Sequence, residues 1–248
     1  MDVFKRNNLI YSTLLVLGIT VFIFSLSLLA KNSDVFIFWG NEAREAEALI
    51  ANINIRNTDN FNWTFIFIFT VVVYIYFQEI KNKNYRGIAA GLALYGVHWL
   101  YEIINAIIQS SSGFALWTVS AESTSFMLLI GVSWELSMMF AIAGLIMSKL
   151  LPEDKNLKIL GINNRIFFAI MNAAFFSVFE IFLAGTPAFI WTYSWWGSIP
   201  VFITTYIPFF LAAFLIYDAK NKKKIIFIAS VWALVFLLLV TLIPLGII

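Results

Sequence analysis

His98, Glu102, Asn105 and Gln109 follow one another at steps of four, three and four residues. That is the spacing of a single helix face. The stretch that carries them, Tyr95 to Gln109, is otherwise apolar, so they form a polar stripe on a greasy helix. His98 is the only histidine in the chain. One helical turn from Glu102, it can orient that carboxylate or share its proton. A carboxylate inside a hydrophobic segment is by default a functional-site hypothesis. Glu135 and Glu180 also fall inside long apolar runs, and no lysine or arginine lies at comparable depth. An unpaired ionised carboxylate in a dry site is too costly, so at least one of the three is expected to carry its proton. A neutral carboxylic acid facing an ionised one is the arrangement that acid/base catalysis uses. The expected catalytic set is Glu102 and Glu180 as the pair, His98 orienting, and Glu135 in support. The expected substrate contacts are Asn105, Gln109 and Asn172, with Trp117, Trp191 and Trp195 from two uncharged loops.

The elements that must position these groups are membrane helices. Of 248 residues, 61% are apolar and 12% charged, and the mean hydropathy is +0.88. Apolar runs of roughly 20 residues, the length that crosses the hydrocarbon core, recur along the chain. The fold class is therefore all-α: a polytopic membrane protein, a single transmembrane domain in the cell membrane. Without cysteine, disulfides, thiolate nucleophiles and cysteine-ligated metals are excluded. One histidine excludes a bis-histidine haem held within the chain. The net charge of +2 gives no reason to expect a nucleic-acid partner.

Seven helices are expected, over about 9–30, 61–80, 87–109, 124–150, 165–184, 201–217 and 225–247. An extracytoplasmic insertion over 31–60 holds a short surface helix around Glu42, Glu45 and Glu47. With the N-terminus inside, thirteen basic residues fall on inside segments: Lys5, Arg6, Lys81, Lys83, Arg86, Lys149, Lys155, Lys158, Arg165, Lys220, Lys222, Lys223 and Lys224. Only Lys31, Arg44 and Arg56 fall outside. This positive-inside bias predicts an inside N-terminus and an outside C-terminus. Glu102 and Glu180 then lie in the outer halves of their helices, beneath the loops with Trp117 and with Trp191, Trp195 and Trp196, and Glu135 is nearer the midplane. These loops share a faint repeat, Trp117-Thr118-Val119-Ser120 and Trp191-Thr192-Tyr193-Ser194.

Other readings use the same residues. Asn172, Ser177, Gln109 and protonated glutamates can act as glue between helices. A non-enzymatic membrane subunit, or a lipid- or pigment-binding protein, would use the stripe that way. A metal site would draw on His98, Glu102, Glu135 and Glu180. The paired Glu-x-x-His motifs of di-metal carboxylate bundles are absent, however, and no metal or other cofactor is expected. Buried carboxylates also serve proton- or cation-coupled transporters, but no pair of Gly/Pro-interrupted spans occupies repeat-related positions. The last span has no lysine for a retinal Schiff base.

Two stretches between Gly96 and Phe214 resemble the membrane carotenoid biosynthesis proteins of the bisanhydrobacterioruberin hydratase type, and more distantly the membrane lycopene cyclases. One is the acid-bearing helix with Glu102, leading to Leu129-Ile130-Gly131-Val132-Ser133-Trp134. The other is Glu180, then Trp191 and Trp195, then Ile199-Pro200 and Tyr206. The chain departs from the pattern in its glycine-poor first turn, in Glu180 where an aspartate is expected, and in Thr205 where an asparagine is expected. The resemblance implies acid-catalysed hydration, cyclisation or isomerisation of a lipophilic isoprenoid without a redox cofactor. It also adds Tyr206 to the substrate contacts. Aromatic faces such as Trp117, Trp191 and Trp195 would stabilise a carbocation.

Overall fold

The computed structural model describes residues 17, 18, 20, 21 and 37–248. The helix expected over 9–30 lies almost wholly outside them. The fold is built around helix α3 (Tyr85–Ser112), which carries the whole polar stripe. Asn84 starts it by accepting the Gly87 N–H at 3.0 Å. Its first half is rich in glycine and alanine, which lets helix α4 (Trp134–Ser148) approach closely. A Cβ on Gly144 of α4 would stand 2.6 Å from the Ala90 carbonyl oxygen. Helix α6 (Ser198–Asp218) and helix α7 (Asn221–Leu242) pack on other sides of α3, and helix α5 (Asn164–Ala184) packs against α6.

Among the described residues, α3, α5, α6 and α7 are long and apolar enough to cross a membrane. Helix α2 (Phe65–Lys81), 17 residues, and α4, 15 residues, are shorter. Only 6% of the most apolar window of α7 is buried in the protein, so this helix is greasy on its outer surface, as a lipid-facing span must be.

The helix expected from residue 124 begins ten residues later. Strands β2 (Met127–Leu129) and β3 (Val132–Ser133) form a hairpin ahead of it. Ser133 caps α4 by accepting the Leu136 N–H. The expected 201–217 helix is longer and irregular. It contains a π-helical turn over Phe202–Tyr206. Pro208 has no N–H for the Thr204 carbonyl four residues back. The Tyr101 hydroxyl donates to that carbonyl instead, at 2.8 Å.

The two uncharged loops join. Strands β1 (Trp117–Val119) and β6 (Phe189–Trp191) pair antiparallel, with Trp117 opposite Trp191. Val119 N–H also donates to Ile130 O at 3.0 Å, which fastens the hairpin to this ladder. A second hairpin, β4 (Lys158–Ile159) with β5 (Ile162–Asn163), precedes α5 at the opposite end of the helices, where Asn163 caps α5. The described part of the 31–60 insertion lies over the loops. Gly40 N–H donates to Trp196 O at 2.8 Å. Arg44, just before helix α1 (Glu45–Ile53), reaches Ala184 O at 3.0 Å. Arg56 donates to Leu128 O at 3.0 Å and to Ile248 O at 2.9 Å.

Candidate functional site

A cavity lies below the β1–β6 ladder, among α3, α4, α5 and α6. Its walls bring His98 and Glu102 from α3 together with Glu180 from α5 and Thr205 and Tyr206 from the π turn. A water-sized sphere has about 30 Å³ in which to place its centre there, room for one or two waters or a few substrate atoms. The rest of the wall is apolar and largely aromatic, with Phe140, Phe176, Phe209 and Trp117 prominent. The Phe140 ring stacks on His98 at a centroid distance of 4.1 Å. Phe179 lines the cavity and is also 48% exposed on the outside of α5, so this side chain stands between the cavity and the outer surface.

Glu102 is held by polar contacts. Trp117 Nε1 stands 3.3 Å from both carboxylate oxygens. His98 Nε2 lies 3.2 Å from Oε1, without hydrogen-bond geometry. Glu180 is less supported: its Oε2 has no hydrogen-bond partner among the described residues. The Tyr206 hydroxyl and the Trp191 indole come close enough to interact with this carboxylate. Both nitrogens of His98 and Oγ1 of Thr205, on the same walls, are likewise buried without a partner among the described residues. Buried polar atoms in folded proteins almost always have partners. Such a set around one cavity marks a place where polar groups are kept for something other than stability.

The remaining stripe residues have other tasks. Asn105 braces the loop: its Nδ2 donates to Trp117 O at 2.9 Å, and its Oδ1 accepts the Leu116 N–H at 2.8 Å. Gln109 is half-buried in the last turns of α3, away from the cavity wall. Asn172 is buried on α5 and bonds back to Phe168 O at 2.7 Å; it does not line the cavity. Trp195 is 59% exposed and stacks on Tyr193. Trp196, its neighbour, turns inward and stacks on Trp117 at 5.9 Å.

Glu135 is placed differently from the expectation. Because α4 starts at Trp134, Glu135 sits in its first turn rather than at mid-depth. A carboxylate is favoured at a helix N-terminus by the helix dipole. Glu135 accepts the Ser125 N–H at 2.6 Å and also the Ser125 hydroxyl, which ties down the loop before β2. It is not a cavity wall. The four-residue set of His98, Glu102, Glu135 and Glu180 is therefore not assembled around one point, and no three potential ligands cluster among the described residues.

Sequence reasoning missed the aromatic walls Phe140, Phe176 and Phe209 and the role of Gly131. A Cβ on Gly131 would lie 2.5 Å from Glu102 Oε2 and 2.5 Å from Asn105 Nδ2, so the hairpin presses its backbone onto the site. The Gly131 word of the sequence was visible, but its contact was not.

The fold and cavity define a helical membrane protein with paired carboxylates enclosed beneath its loops. A family described as an uncharacterized membrane protein family matches residues 44–244, and the chain belongs to it. An uncharacterized protein of Archaeoglobus fulgidus is 44% identical over 149 residues, covering 59% of this chain and 71% of that protein. No solved structure matches the chain.

Proposed function

We propose that this protein is a multi-pass enzyme of the cell membrane that carries out cofactor-independent acid/base chemistry on a double bond of a lipophilic isoprenoid. The seven-span topology, with the N-terminus inside and the C-terminus outside, belongs to the same proposal. The observation that carries it is the enclosure of Glu102 and Glu180 in one cavity whose walls are otherwise mainly aromatic. Aromatic faces attract a cation without consuming it. Two carboxylates supply the proton and take it back. The resemblance to carotenoid hydratases and cyclases favours the same chemistry.

The roles follow from the contacts. Glu180, with one oxygen unpartnered, carries the proton. Glu102, served by Trp117 Nε1 and facing His98, is the base. The proton moves from Glu180 to one carbon of the double bond, whose π electrons form the new C–H bond. The neighbouring carbon becomes a cation beside Phe140, Phe176 and Phe209. Water then adds to it and yields a proton to Glu102, or a second double bond closes a ring and Glu102 removes a proton from carbon. Return of the proton from Glu102 to Glu180 resets the site. The cavity admits only the end of a substrate, so a long chain must lie outside it, and Phe179 marks where it passes to the lipid.

Turnover of an acyclic polyene by membranes containing the protein tests this reading. Product formation lost in Glu180→Gln and Glu102→Gln supports it; full activity in both variants overturns it.

A further inference from the structure

At the opposite end of the helices from the β1–β6 ladder, α6 ends at Asp218 and α7 begins at Asn221. Between them opens a groove of about 790 Å³ that shares no wall with the carboxylate cavity. Lys220 and Lys223 stand at its rim, the buried Arg165 lines it, and its apolar walls include Leu215, Ile226 and Phe227. The acid at the rim, Asp218, is already engaged. Arg165 approaches it through Nε at 2.5 Å and Nη2 at 3.1 Å, and Arg86 through Nη2 at 2.6 Å. One carboxylate shared by two guanidiniums leaves positive charge in excess. Lys220 and Lys223 are exposed and have no acidic partner among the described residues.

The charged part and the apolar part stand in a definite order. The basic rim lies at the ends of two membrane-crossing helices, where lipid phosphates lie. The apolar floor continues along α7 from Lys223 to Ser230, a rise of about 10 Å into the span. We infer that this groove binds an anionic membrane lipid, its phosphodiester held by Lys220 and Lys223 and its hydrocarbon chain laid against Leu215, Ile226 and Phe227. Basic pockets between membrane helices recognise anionic headgroups by this combination. The site is independent of the proposed chemistry.

The full chain in a neutral detergent, titrated with phosphatidylglycerol, phosphatidylcholine or inorganic phosphate while its melting temperature is followed, tests the inference. Phosphatidylglycerol should raise the melting temperature saturably, and the Lys220→Gln/Lys223→Gln variant should need roughly thirtyfold more lipid for half the effect. The variant Lys81→Gln/Lys83→Gln, which removes equal charge from exposed positions outside the groove, should respond as the unaltered protein does. Equal stabilisation by phosphatidylcholine, equal loss in the two double variants, or no loss in Lys220→Gln/Lys223→Gln would overturn it. Inorganic phosphate reproducing the whole effect would replace the lipid with a free anion and overturn it too.

Discussion

Gly131 stands directly against Glu102: a methyl group added to its Cα would fall 2.5 Å from Oε2 of the carboxylate. The hairpin before α4 thus fixes the candidate base from above while Trp117 fixes it through an N–H. Gly131→Ala should destabilise the protein by about 1–3 kcal/mol, the usual cost of overpacking. Activity should be lost beyond what the lower stability explains, because the displaced groups are Glu102 and the Trp117 indole that serves it. A melting curve and a turnover assay on the same preparation check both.

Asn105 serves the loop rather than the substrate. Asn105→Ala deprives the Leu116 N–H and the Trp117 carbonyl of their partner, at about 1–3 kcal/mol for each buried group left unpaired. Hydrogen exchange should quicken around 114–119 and remain slow in the middle of α3.

The two carboxylates should fail differently. Either Glu→Gln change should lower turnover by about 10²–10⁴-fold, the range for a lost general acid or base. In deuterium oxide, Glu102→Gln should still exchange deuterium into recovered substrate, because protonation by Glu180 is reversible. Glu180→Gln should leave recovered substrate unlabelled.

The absence of cysteine makes topology directly measurable. A single cysteine in place of Lys83 or Lys222 should react with a membrane-impermeant maleimide only after cells are opened. A cysteine in place of Ser111 should react in intact cells. The reverse pattern would refute the proposed orientation.

Apolar run length made α3, α5, α6 and α7 legible, since membrane spans are written in composition. The stripe on α3 was legible as a face but not as a single site. From His98 to Gln109 the helix rises about 16 Å, farther than one small cavity extends. His98 and Glu102 meet the cavity, Asn105 meets the loop, and Gln109 lies beyond it. The β2–β3 hairpin was hidden because an apolar run from 124 to 150 has no alternation to separate strand from buried helix. That error moved Glu135 to the wrong depth. Among 26 phenylalanines, no spacing singles out Phe140, Phe176 and Phe209 as cavity walls. The 201–217 span was expected as a regular helix, but the π turn ahead of Pro208 places Thr205 and Tyr206 in the cavity, as such turns often do at functional sites.

The central claim is that Glu180 delivers a proton to carbon in this cavity. The direct measurement is mass spectrometry of the product formed from an acyclic polyene by the purified protein in deuterium oxide. One deuterium bound to carbon per turnover, absent with Glu180→Gln, is the predicted result. No carbon-bound deuterium across a panel of acyclic isoprenoids, or equal labelling with Glu180→Gln, would contradict it.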